Sequence, residues 1–295
     1  MTQEKWLVNP GETKTIDLEV VRKLKIGLIG GQVDVIGHDE PGVRVEVHSV
    51  SGKDLKISID GDTLEIDHPQ LRWDNFVDVF RSWSGKARAD VSLAVPRDIA
   101  LKFGVVSAEG LISGLKSDAK VSTISGDVTI DGVVGDLELN AVSGEISVRN
   151  HTGRISAHTI SGDIMATGTL HKFSADSVSG NLFLDITGIP DEINTNSVSG
   201  DLTVRLDEAV AARYRINSVS GRLQLDDTII RGMTGRNFTH QSGSLDGNWI
   251  EVSANSVSGN ISVVRRSSAS APSAPSTSSG TDSGTDSETG TEASA

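Results

Sequence analysis

The sequence predicts an all-β protein: a β-solenoid built from two-strand repeats of about 18 residues, with a less regular β-rich part before it and a disordered tail after it. Three observations carry that prediction. A Ser-Gly pair preceded by Val or Ile recurs in TISGDVTI, AVSGEISV, TISGDIMA, SVSGNLFL, SVSGDLTV, SVSGRLQL and SVSGNISV, with the glycines at 126, 144, 162, 180, 200, 221 and 259. Successive spacings are 18, 18, 18, 20, 21 and 38, and a degenerate copy, HQSGSL at Gly243, divides the last gap. On either side of each glycine, apolar residues stand two apart, the period of a strand with one buried face. Composition agrees, since 31 Gly against 6 Phe, 4 Trp and 1 Tyr in 295 residues describes a turn-dense chain with a thin core.

The elements follow in chain order. Residues 1–11 read as a flexible N terminus without the apolar stretch of a secretory signal, and no segment has transmembrane length. A cytoplasmic product is therefore expected, a cell-surface one less so. Residues 12–110 alternate apolar with polar in TKTIDLEV, GQVDVIG, GVRVEVHSV, DLKISID, TLEID and ADVSLAVP, and read as opening coils or a capping sheet. Within them the insertion 69–86 places Trp73, Phe76, Phe80 and Trp83 at spacings of 3, 4 and 3, which suits one face of a short helix. These four aromatics are the candidate interaction or cap surface.

Residues 111–266 form the repeat solenoid. Two and four places after each glycine stand pairs such as Val128 and Ile130, Ile146 and Val148, and Leu202 and Val204. Seven and five places before it stand Leu137 and Leu139, Ile155 and Ala157, or Ile193 and Thr195. The two sets differ in parity, so the inward face must switch between them at a corner. The column Asn140, Asp176, Asn196, Asn217 and Asn255 reads as that polar corner. Stacking buries a continuous apolar column that no unit closes alone, and eight rungs about 4.8 Å apart would make a rod of roughly 38 Å. Residues 267–295 have no aromatic and no aliphatic larger than Ala, and read as a disordered Ser/Thr-rich acidic tail.

With VSGD-type repeats and the stretch VPRDIALKFGVVSAEG from Val95 to Gly110, the chain resembles the bacterial DUF4097 family of adhesin-like, β-strand-repeat proteins. The resemblance runs from about Gly11 to Arg266. It implies a β-helical, adhesin-like domain without a defined biochemistry.

Chemistry is sparse. A net charge of −13 disfavours nucleic acid, and the absence of Cys excludes disulfides, thiolate metal sites and a cysteine nucleophile. The column Asp127, Glu145, Asp163, Asn181, Asp201, Arg222 and Asn260 invites Ca²⁺, yet G-G-x-G-x-D is missing, Arg222 interrupts the row, and turn chemistry accounts for Asp and Asn. The Asn column reads as a stacked amide ladder rather than a groove. Repeated serines such as Ser125, Ser143 and Ser161 read as hydroxyls serving turn backbone, because a nucleophile is normally singular. The seven histidines read as scattered surface residues, although His158 and His171 lie on different coils and could meet. No catalytic, cofactor or metal site is expected. The reading is a non-enzymatic binding or scaffold module with a protein partner or self-association. A self-assembling filament resembling the bactofilins is one alternative. A carbohydrate-active β-helix enzyme is the second, and carbohydrate as a ligand rests on that analogy alone.

Overall fold

A computed structural model describes residues 3–68, 87–226, 228–231 and 236–266, and among them every regular element is a β-strand. The strands form two faces of a flattened solenoid. Leu137, Leu139 and Ala141 of Val134–Ala141 point inward while Asp136 and Glu138 point out. After the Ser-Gly turn, Ile146 and Val148 point inward from the opposite face. The predicted columns are parallel-paired residues in register: Leu101, Ala119, Leu137, Ile155, Phe173 and Ile193 on one face. On the other run Val128, Ile146, Ile164, Leu182 and Leu202. Bulk is matched across the core: the Phe103 ring fills the space that a Cβ on Gly110 would occupy. Two long strands, Ile146–Thr159 and Ile164–Ser177, pass unbroken from one face around the far corner to the other.

Three expectations are corrected. The parity switch does not fall at the Asn column, because Asn140, Asn196, Asn217 and Asn255 all lie within strands. It falls at the Ser-Gly turn, between the inward-facing residue three places before each glycine and the buried residue two places after it. The stack also exceeds eight rungs. Lys23–Leu28 and Gly31–His38 form a parallel rung beneath Ala100–Val105 and Glu109–Ser113, and Thr63–Asp67 with Arg88–Pro96 form another beneath that. Beyond these, Leu55–Asp60 with Val43–Ser51 run antiparallel, and Gln3–Val8 with Lys14–Leu18 close the end.

At the other end the order in space departs from the order in sequence. Trp249–Ser258 and Ile261–Arg266 lie between the coil of Glu192–Ser199 and Leu202–Asp207 and the coil of Ala211–Ser220 and Arg222–Leu225. HQSGSL is therefore not a rung of the row. Its strand, Arg236–Ser242, pairs antiparallel with Ala211–Ser220, and Thr228–Arg231 does the same on the other face. Both ends of the solenoid thus finish in reversed strands, which withdraws the parallel edge that a further coil would need. The insertion 69–86 with Trp73, Phe76, Phe80 and Trp83, and the tail 267–295, lie outside the described residues.

Candidate functional site: a groove along the Ser-Gly corners

The corner is built by three ladders. A Cβ on Gly144, Gly162 or Gly180 would stand 2.0–2.2 Å from the carbonyl oxygen of the glycine one rung before, so only Gly lets the corners stack. Beside it, the hydroxyls of Ser125, Ser143, Ser161 and Ser179 donate to the carbonyls of Val106, Ile124, Val142 and Ile160 at 3.0–3.1 Å. One place after the glycine, Asp127, Asp163, Asn181 and Asp201 each accept the backbone N–H of the next rung at 2.7–3.0 Å. That row continues through Asn260, which accepts from the Arg222 N–H at 3.1 Å. Arg222 does not interrupt the row; it ends it, on the last parallel rung, where no later parallel N–H needs an acceptor. Among the described residues no three acids or histidines are grouped as a metal would require.

Above these ladders lies a groove of about 820 Å³ running along the rod. Its floor is the small residue three places before each glycine, such as Ala141, Thr159 or Ser177. One wall is the residue that opens each VSG: in spatial order Ile160, Val178, Val198, Val257 and Val219, all 49–54% exposed. At the near end of the same column Ile29, Val106 and Ile124 are buried together with Ala87. The opposite wall is the polar column. Asn196 donates to Asp176 at 2.9 Å, Asn255 to Asn196 at 2.8 Å, and Asn217 to Asn255 at 2.6 Å. The amide ladder is present, and it is also a groove wall. His158 sits 3.2 Å from Asp176 on that wall, so its partner is this carboxylate one rung on.

The histidines are not uniformly at the surface. His68 and His151 are fully buried. His68 Nδ1 accepts the Ile29 N–H at 3.3 Å and desolvation lowers its pKa to about 4. His151 takes the place held by Val133 one rung earlier and is likewise pushed down by burial. Both serve the core, not the groove. What sequence reasoning passed over was the Val or Ile that opens each VSG. Its recurrence was plain, and strand parity sets it outward with the Asn column, opposite the inward-facing residues seven, five and three places before the glycine.

Fold and groove together define a capped β-solenoid with a long open groove along its Ser-Gly corners. The chain belongs to the DUF4097 family: the family model, described as Toastrack DUF4097, matches residues 21–264. No curated protein matches the sequence. Among solved structures, a putative lipid binding protein from Parabacteroides distasonis is 15% identical, with a TM-score of 0.53 over 87% of this chain and 98% of that one. A putative adhesin from the same organism is 14% identical, with a TM-score of 0.46 over 86% and 96%. The first of these supports the fold alone. No helix among the described residues is long and apolar enough to cross a membrane.

Proposed function

We propose that this chain is a non-enzymatic binding module and that its binding surface is the groove along the Ser-Gly corners. One observation carries the reading: five aliphatic side chains stand in line with half their surface in water, where a solenoid needs no apolar residue for its own core. Small polar floor residues and an amide wall give such a groove hydrogen bonds for orientation beside apolar area for affinity. The words adhesin and lipid binding, attached to proteins of similar fold, accord with a binding role. The aromatic insertion is a second surface in this proposal. The residues that flank it in sequence, His68 and Ala87, lie beside Ile29 at the near end of the same aliphatic column.

The test uses an environment-sensitive apolar dye titrated into the full chain and into Val178→Asp and Val257→Asp. Both positions are half exposed, so the variants should melt as the parent does while dye binding falls at least fivefold. Unchanged dye binding by folded variants would remove the groove from consideration.

A further inference from the structure

Resting on the reading of the groove as a binding surface, we infer that its occupant is the same groove on a second copy of this chain, the two rods lying side by side and antiparallel. The argument begins with period. The aliphatic wall repeats once per rung, at about 4.8 Å. A partner that contacts every rung alike must repeat at that distance. Same-face side chains of an extended peptide recur at about 6.6 Å and turns of an α-helix at about 5.4 Å, so each drifts out of step within a few rungs. A second solenoid has the matching period by construction.

Charge points the same way. The chain carries −13, yet the groove lining holds only Asp176 and His158 as titratable groups, and they pair with each other at 3.2 Å. Two acidic molecules can therefore meet on this face without opposing unpaired carboxylates. Five half-exposed aliphatics and the amides beside them make a small contact, below the roughly 800 Å² per partner of a standard interface. The association should accordingly be reversible and concentration-dependent.

A two-fold axis across the rods, rather than along them, makes the pair antiparallel and fixes the contacts. A two-fold interface is self-complementary. The wall reads Ile160, Val178, Val198, Val257, Val219 in space, so its centre is Val198. An antiparallel pair therefore sets Val198 on Val198, Val178 on Val257 and Ile160 on Val219.

The chain has no cysteine, which makes cross-linking clean. Single variants Val198→Cys, Ile160→Cys and Val219→Cys of the full chain would be oxidised with copper–phenanthroline and run on non-reducing gels, beside light scattering of the parent across micromolar concentrations. The expected result is a concentration-dependent dimer mass and efficient disulfide dimers of Val198→Cys. Ile160→Cys and Val219→Cys should cross-link only when mixed with each other. Val198→Asp should be monomeric with an unchanged melting temperature. A parent monomeric at every concentration overturns the proposal, as does Ile160→Cys cross-linking with itself as well as Val198→Cys does. If that monomer still binds the apolar dye through Val178 and Val257, the groove stands and its occupant is another molecule or the segment 69–86. If it binds neither, the groove reading falls as well.

Discussion

Replacing Gly162 with Ala tests the physical basis of the repeat. A Cβ there would lie 2.1 Å from the Gly144 carbonyl oxygen, where real Cβ atoms are not found within 3.0 Å. The obstacle is backbone, so relief requires the two corners to separate by about 1 Å, overpacking of the kind that costs about 1–3 kcal/mol or more. Hydrogen bonds across this junction run from the Ile160 N–H to Ala141 at 3.2 Å and from the Ser161 N–H to Val142 at 2.8 Å, with the Ser161 hydroxyl on Val142 at 3.1 Å. An ångström of separation forfeits them, at about 1 kcal/mol each. The expected destabilisation is about 3 kcal/mol, which for a body of this size lowers the melting temperature by about 6–12 °C. Circular dichroism melts of Gly162→Ala and Gly247→Ala would decide it, since a Cβ on Gly247 meets nothing within 4 Å. Equal melting temperatures for both variants would refute the claim that stacking demands glycine.

Two further predictions follow from the core. Ile130→Asp should abolish cooperative melting because it puts a charge in a fully buried column, whereas Thr129→Asp, on the outward side of the same strand, should shift the melting temperature by only a few degrees. Acid should destabilise the body: His68 is held neutral by burial with a pKa of about 4, below its unfolded value of 6.5, so the unfolded chain binds the extra proton. Stability should be complete above pH 6.5 and fall by about 3 kcal/mol as the pH drops towards 4. His151, lowered in the same direction, adds to that loss. Denaturant melts across that range would check it, and a flat profile would contradict the burial of both imidazoles.

Much of the fold was legible because the repeat is written in residue types that physics constrains tightly. Gly162 recurs where only hydrogen fits, and Ile146 and Val148 recur with the period of a strand. The corner was misplaced because Asn140 is a common turn residue, and nothing local distinguishes an Asn that bends the chain from one that faces out of a straight strand to join a ladder. The groove was missed for the same reason. Val198 looks like a core residue by type, yet it shares the outward parity of Asn196 in Glu192–Ser199, opposite the buried Ile193 and Thr195. The buried His68 and His151 could not be read because imidazoles are compatible with surface and core alike. The rung order was hidden more deeply. Parallel coils with the same column residues are interchangeable neighbours by sequence, so Asn217 could stack on Asn196 or on Asn255.

What selects among those neighbours is a set of charges at the far corner, and it yields the last prediction. Arg266, at the end of the intercalated coil, donates to Asp207 and to Asp185, one and two rungs away on one side. Arg265 reaches the other side, donating to Tyr214 Oη at 3.1 Å and Asp226 at 3.2 Å, and also to the Val210 carbonyl. No other order of coils gives both arginines these partners, so the pair acts as a register device of the kind buried or half-buried charges provide elsewhere. Arg265 is the more consequential of the two, because its side chain is only 15% exposed and its loss strands the hydroxyl of fully buried Tyr214. Arg265→Met keeps the packing of the stem and removes the charge. It should cost about 2 kcal/mol and raise hydrogen exchange in 211–225 and 249–266 while leaving 119–186 protected. Arg215→Met, which loses an exposed pair with Glu251, should cost under about 1 kcal/mol. Exchange that rose evenly along the rod, or equal costs for the two variants, would mean that packing alone sets the order of the last coils and that the arginines merely decorate it.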